Sequence, residues 1–390
     1  MLRKLLVLAA PLVLVLVIEV LFAAGAWEPL AEPQSHAGTS LDLEHALRDP
    51  AIGRIDYVTI GSSRPEYGMD HALLAAEARR LGRTHADLTM PGTHWTSAGV
   101  LARWLEREHP EVRGGIIALS VQDLAFAYNG YYELGILQPF RRVDDLGWIA
   151  ARIPFAMHDV ASYGVVSALF AWRDDVRAFV AAPTQRKEHI EWRNSHRDPR
   201  HLLFGNPESH GDMCRWGIDG LAACDRLEAA TDDDSAGLRR QCRELRTRAA
   251  DAPDFAAGRA AAELPGFMSN TRDRVRAQLE GMHWPTPPVV ILMPMPRIWN
   301  DVLGRGQHEW ALEILRPLAD AGRIRLLDAT AFFDADADRG CGSFFDFYHQ
   351  NAQGRERFTR WLLPQLQGLL YQDATGTPAS PAPPLDRPRP

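Results

Sequence analysis

The sequence predicts an α/β protein: a three-layer α/β/α sandwich around a mostly parallel five-stranded sheet, with a mainly helical insertion. Three observations predict it. Five short apolar runs recur along the chain with helical stretches between several of them, the alternation that builds a parallel sheet. Two of the runs are nearly unbroken hydrophobic stretches, the pattern of strands covered on both faces. The segment 130–285 then interrupts the alternation and is too long for a simple strand-to-helix connection. With 390 residues, 46% of them hydrophobic, the chain can fill one large core and carry such an insertion.

The elements follow in order. Arg3 and Lys4 precede an apolar run from Leu5 to Trp27, broken only by Pro11 and Glu19. A helix needs about 20 mostly apolar residues to span a bilayer, and basic residues ahead of it hold that end in the cytoplasm. Residues 1–27 are therefore expected to be an inner-membrane anchor, with the bulk of the chain in the periplasm. Ala24-Gly25-Ala26 offers the alternative of a cleaved signal peptide, which would release a secreted product. Residues 28–50 read as a juxtamembrane linker.

The first part of the α/β domain is expected over 51–129. It holds strands at IDYVTI (55–60), THADLTM (84–90) and GGIIALS (114–120), with helices at MDHALLAAEARRL and SAGVLARWLEREH. The insertion of 130–285 is rich in Arg, Asp, Ala and Trp at helical spacing. The domain resumes over 286–372 with PPVVILMP (287–294), the helix EWALEILRPLADAG ending at Gly322, and IRLLDA (324–329). Residues 373–390 are Pro-rich and predicted to be disordered.

Composition excludes some functions. There are 43 Lys and Arg against 50 Asp and Glu, a net charge of −7, with no basic stripe; nucleic acid is not an expected partner. The four cysteines, Cys214, Cys224, Cys242 and Cys341, contain no C-x-x-C, so no zinc knuckle is expected. Three of them fall in one segment, where a bridge is plausible. His189, His196, His201 and His210 lack compact ligand spacing, and neither a metal nor a cofactor is expected.

Ligand sites in open α/β sheets lie beyond the carboxyl ends of the strands. Gly61-Ser62-Ser63 stands at that end of the first strand. A hydroxyl there can attack a carbonyl if a base takes its proton; on their own, these serines read first as helix caps. Far downstream, Asp346 and His349 in DFYHQNAQG are three residues apart, and a carboxylate so placed can orient an imidazole and stabilise its protonated form.

GSSR (61–64) together with DFYHQNAQG (346–354) resembles the first and last blocks of the SGNH (GDSL-type) hydrolase superfamily, whose fold is flavodoxin-like. The resemblance implies Ser63 as nucleophile, His349 as base and Asp346 as its orienting acid. It implies an oxyanion hole from the Ser63 N–H, the Gly92 N–H and the side chain at Gln122. Ser62 stands where the family has Asp, and Gln122 where it has Asn. The Gly-Ser-Ser variant is similar to membrane-anchored members that acylate surface polymers, as in teichoic-acid D-alanylation or exopolysaccharide O-acetylation. The function so implied is that of a serine esterase or O-acyltransferase with a polysaccharide acceptor, the acyl donor being a membrane-bound O-acyltransferase partner. Arg64 and Arg297, at strand ends, are candidates for holding an anionic substrate. Trp216 is a candidate for stacking on a sugar, with buried packing as the simpler role. The rival is a catalytically silent scaffold or glycan-binding subunit. A lipase would want an apolar lid, and the insertion is too charged for one.

Overall fold

A computed structural model describes residues 2–93, 95–121, 137–151, 163–164, 167–217, 222–229, 235–251, 271–338 and 340–371. The elements begin with α1 (Leu2–Ala23), α2 (His36–Leu47), β1 (Tyr57–Gly61), α3 (Ser63–Gly68), α4 (His71–Arg80), β2 (His85–Thr89), α5 (Trp95–Glu108) and β3 (Gly114–Leu119). A helical series follows: α6 (Leu146–Ala150), α7 (Ala168–Ala171), α8 (Arg173–Ala181), α9 (Pro183–His196), α10 (Pro199–Phe204), α11 (Ala223–Ala229), α12 (Ala236–Asp251) and α13 (Thr271–Glu280). The alternation resumes with β4 (Val289–Leu292), α14 (Arg297–Asp320) and β5 (Arg325–Asp328), and the described chain closes on α15 (Ala352–Leu369).

The five strands form one all-parallel sheet in the order β2-β1-β3-β4-β5, flanked by helices as a three-layer sandwich. Each predicted apolar run coincides with one strand, β1 extending one residue past its run to Gly61. The two unbroken runs, β3 and β4, are buried along their whole length, as their lack of polar alternation requires. β1 is in register with both neighbours, Gly61 standing level with Thr89 of β2 and Ala118 of β3. The order reverses between β1 and β3, and in a doubly wound sheet the crevice at that switch point is where ligands bind.

The chain divides into two compact units. One comprises Met1–Ile52, Thr96–Trp104 and Tyr128–Pro199; the other comprises Gly53–Trp95, Leu105–Ala127 and Arg200–Pro390 and holds the whole sheet. The insertion is thus shared: its residues up to Pro199 group with the N-terminal segment, and the rest with the sheet. Among the described residues it is helical and without strands. The tail 373–390 lies outside the described residues.

Two expectations about the N-terminus are corrected. Among the described residues no helix is long and apolar enough to cross a membrane. This overturns the expected single N-terminal span, and with it the inner-membrane location with a periplasmic bulk. Pro11 and Glu19 interrupt the apolar run, and the Glu19 carboxylate accepts hydrogen bonds from the Ser167 hydroxyl (2.7 Å) and from the N–H groups of Ala168 (2.6 Å) and Leu169 (3.1 Å). The last turns of α1 are therefore fastened to the start of α7. The stretch 28–50, expected as a linker, carries α2, capped by Ser35 through a bond from the Gly38 N–H. It joins a core of Trp27, Ala31, Ala37, Leu41 and Trp172. There Arg186, 3% exposed, is held between Glu32 (2.8 Å) and Asp175 (3.0 Å).

All four cysteines are paired, Cys214 with Cys341 and Cys224 with Cys242. Such bonds persist in oxidising surroundings. The first ties the insertion to the segment just before Asp346, and the second staples α11 to α12.

Candidate active site

The two serines after β1 have different jobs. Ser62 is the N-cap of α3: its backbone is extended and its Oγ accepts from the Arg64 N–H at 3.4 Å. Ser63, the first helical residue, is left to turn its hydroxyl toward His349, whose Nε2 lies 2.9 Å from Ser63 Oγ. Gly61 makes this close turn possible. A Cβ there would come within 2.6 Å of the Ala118 carbonyl and 2.3 Å of the Pro65 ring.

His349 is aimed from behind by Asp346. Its Nδ1 lies 3.0 and 2.9 Å from the two carboxylate oxygens. A carboxylate only accepts, so Nδ1 carries the proton and Nε2 is free to accept one from Ser63. Asp346 Oδ1 also accepts from the N–H groups of Tyr348 and His349, each at 2.7 Å, and Oδ2 accepts from the Gln241 amide at 3.0 Å. Burial pushes the Asp346 carboxyl up, but the His349 ring, the Tyr348 N–H and Gln241 together outweigh it and hold the group below its ordinary value. The carboxylate thus stays ionised opposite the imidazole.

The loop that carries the pair is fastened at several points. The Phe345 N–H donates to the His349 carbonyl (3.1 Å), and Trp299 Nε1 donates to the Phe347 carbonyl (2.7 Å). Asn351 caps α15 by accepting from the Gly354 N–H, while its own amide donates to the carbonyls of Gly211 (2.9 Å) and Gly342 (2.8 Å). The imidazole is walled by aromatic rings: Phe345 stacks on it with centroids 5.6 Å apart, and Tyr67 of α3 stands 5.1 Å away.

A buried polar cluster adjoins α3. Burial, and then the nearby Asp87, push the Glu66 carboxyl up to about 8, so it is protonated at neutral pH. His71 is fully buried, which pushes it down to about 4, and its Nε2 lies 3.2 Å from the Pro65 carbonyl and 3.4 Å from Asp87. Burial therefore leaves Glu66 and His71 uncharged at neutral pH, while Asp346 stays ionised.

The remaining predicted residues are placed as follows. Gly92 stands three residues beyond Thr89, the β2 partner of Gly61, with φ +75°, a conformation that favours glycine. Gln122 lies outside the described residues. Arg64 donates to the Ser120 hydroxyl just past β3 and lies over the Tyr348 ring at 5.2 Å, so it ties the switch point to the His349 loop. Arg297 opens α14 and is half-buried. Trp216 is covered by the Arg215 guanidinium at 4.6 Å. His189 pairs with Glu32, and His196 stacks on Trp192. Among the described residues the only group with metal-ligand spacing is Cys214, Asp338 and Cys341, whose two sulfurs are bonded to each other and offer no thiolate. A cavity of about 300 Å³ in the first unit, lined in part by Glu32, Trp172, Asp175 and Arg186, contains none of the predicted site residues.

Gln241 and the aromatic wall escaped the sequence reading. Gln241 is more than a hundred residues from Asp346, and its one local signal is its place beside Cys242, in the cysteine-bearing part of the insertion. No protein-family model matches this chain, and neither does any curated protein.

Proposed function

We propose that the chain is a serine esterase or O-acyltransferase of the SGNH type, acting on a saccharide ester or polysaccharide through an acyl-Ser63 intermediate. The observation that carries this reading is the Ser63 Oγ to His349 Nε2 distance of 2.9 Å, with Asp346 behind the imidazole. In the reaction so read, Ser63 Oγ bonds to the ester carbonyl carbon as its proton passes to His349 Nε2. The imidazolium is stabilised by ionised Asp346. The tetrahedral adduct collapses, the alcohol leaves with the proton from Nε2, and the acyl group remains on Ser63. A sugar hydroxyl or water, deprotonated by the same nitrogen, then bonds to the acyl carbon, and Ser63 Oγ leaves with the proton returned from Nε2. The developing oxyanion would be met by the Ser63 and Gly92 N–H groups.

The experiment is acyl-enzyme trapping. Wild-type protein treated with a fluorophosphonate, and separately with an activated acetyl ester, is digested and mapped by mass spectrometry. Modification on Ser63, absent in Ser63→Ala and retained in Ser62→Ala, is the expected result. A wild-type protein that takes up neither reagent would sink the enzyme reading and favour a silent glycan-binding subunit.

A further inference from the structure

We infer that Gln241, brought by the helical insertion, is a positioning residue for Asp346, and that the Cys224–Cys242 disulfide acts on the site through it. The inference rests on the serine-nucleophile reading above and adds a component that the Ser-His-Asp set does not contain. One side chain spans the turn between the acid and the base. Gln241 Nε2 donates to Asp346 Oδ2 at 3.0 Å, and Gln241 Oε1 accepts from the Phe347 N–H at 3.0 Å. Its partners fix the amide's orientation, because a carboxylate only accepts and a backbone N–H only donates. The two bonds hold the carboxylate and the next peptide unit as one rigid piece. Asp346 Oδ1 is already held by the Tyr348 and His349 N–H groups, so Gln241 is the described partner that keeps Oδ2 from swinging away from the imidazole.

A glutamine side chain loses considerable rotamer freedom when fixed at both ends. Its helix must therefore be held. α12 is anchored through buried Leu238, Cys242 and Leu245, and Cys242, the very next residue, is bonded to Cys224 of α11 with both sulfurs buried. The second disulfide secures the other flank, since Cys341 lies five residues before Asp346. The acid–base turn thus sits between two covalent clamps, and the insertion that carries them supports the site.

The test uses the full chain and three variants. Gln241→Met keeps the length and packing of the side chain but cannot donate to Asp346 and accepts only weakly. The fluorophosphonate labelling rate and kcat should fall about 10- to 100-fold, the span supported by one hydrogen bond to a charged group, with KM unchanged and melting temperature modestly lowered, because Asp346 Oδ2 and the Phe347 N–H each lose a partner. Gln241→Glu still accepts from Phe347 but places a second carboxylate against Asp346. Its activity should be depressed at neutral pH and its optimum moved to lower pH, where the introduced carboxyl is protonated and donates again. A role in packing alone moves neither. Cys224→Ala/Cys242→Ala should slow labelling in the wild-type background and add little in the Gln241→Met background, because both changes release the same bond. Wild-type rate and pH optimum in both Gln241 variants would overturn the inference, and a fully additive disulfide effect would overturn its second half. If wild-type protein does not label at all, the esterase reading fails separately. The positioning is then read from the far-downfield proton resonance of His349 Nδ1–H, which must shift or broaden in Gln241→Met; an unchanged resonance overturns it.

Discussion

Two histidines in the sheet-bearing unit each bridge two side chains, and they differ in almost everything else. His349, at the carboxyl edge of the sheet, links the Asp346 carboxylate to the Ser63 hydroxyl and is partly open to solvent. His85, at the opposite edge, links two hydroxyls: Nδ1 to Tyr371 at 2.6 Å and Nε2 to Thr59 at 2.8 Å, all buried. Burial pushes His85 down to about 3, and it faces no carboxylate among these partners. Both partners of His85 are hydroxyls, which can donate or accept, so nothing in its surroundings selects one tautomer as the Asp346 carboxylate does at His349. On the proposed reading, a carboxylate that selects the tautomer and an opening to solvent distinguish the Ser63–His349 contact from the buried Thr59–His85–Tyr371 contact.

The comparison breaks most sharply at the nucleophile and base. Ser63→Ala or His349→Ala should lower the esterase rate by at least about 10⁴-fold with melting temperature nearly unchanged. His85→Ala should do the opposite, lowering melting temperature while the surviving folded fraction labels at the wild-type rate. Next, Asp346→Asn keeps the shape but loses the charge and the tautomer control. A drop of about 10²- to 10⁴-fold in kcat is expected, measured by steady-state hydrolysis of an acetyl ester.

The two histidines should also part in their pH dependence. His85 stays neutral in the folded state while the unfolded chain takes up a proton near pH 6.5. The stability it supplies is present above that pH and is lost as pH falls toward 3. Denaturant unfolding at pH 7 and pH 4 should show His85→Gln losing less stability on acidification than wild type, by on the order of 2 kcal/mol. An equal loss in both proteins would remove His85 from the account. The smallest effect belongs to Tyr371→Phe, which leaves His85 Nδ1 buried without its hydroxyl partner. A loss of about 1–2 kcal/mol by urea unfolding, with the labelling rate unaltered, is expected.

How much could be read beforehand follows from the range of each interaction. The strands were legible because each is a local apolar run. Their order was not, because pairing of β1 with β3 depends on the crossings between them. Gly-Ser-Ser after a strand and Asp-x-x-His before a helix were each weak alone; Ser63, Asp346 and His349 were picked out by the family resemblance that the two patterns carry together, and the structure brings the three into contact. The split of labour between Ser62 and Ser63 follows from the N-cap bond. Gln241 was invisible, since no local pattern says that a helix of the insertion will present one amide to a carboxylate 105 positions away. The N-terminal segment misled because hydropathy counts apolar residues and does not register that Glu19 would cap α7. The 28–50 stretch likewise has only weak amphipathic periodicity, yet α2 is buried.

The 286-residue separation of Ser63 from His349 has a consequence in time. At synthesis rates of about 5–20 residues per second, Ser63 leaves the ribosome some tens of seconds before His349. β1, β2 and β3 can meet in that interval, but α15 and the loop ahead of it are still unmade. On the proposed reading, the nascent chain presents an unactivated hydroxyl at Ser63 until α15 docks. Reactivity at Ser63 would report completion of the fold, and a chain cut short before residue 346 would be inert at that serine however well its first three strands had paired.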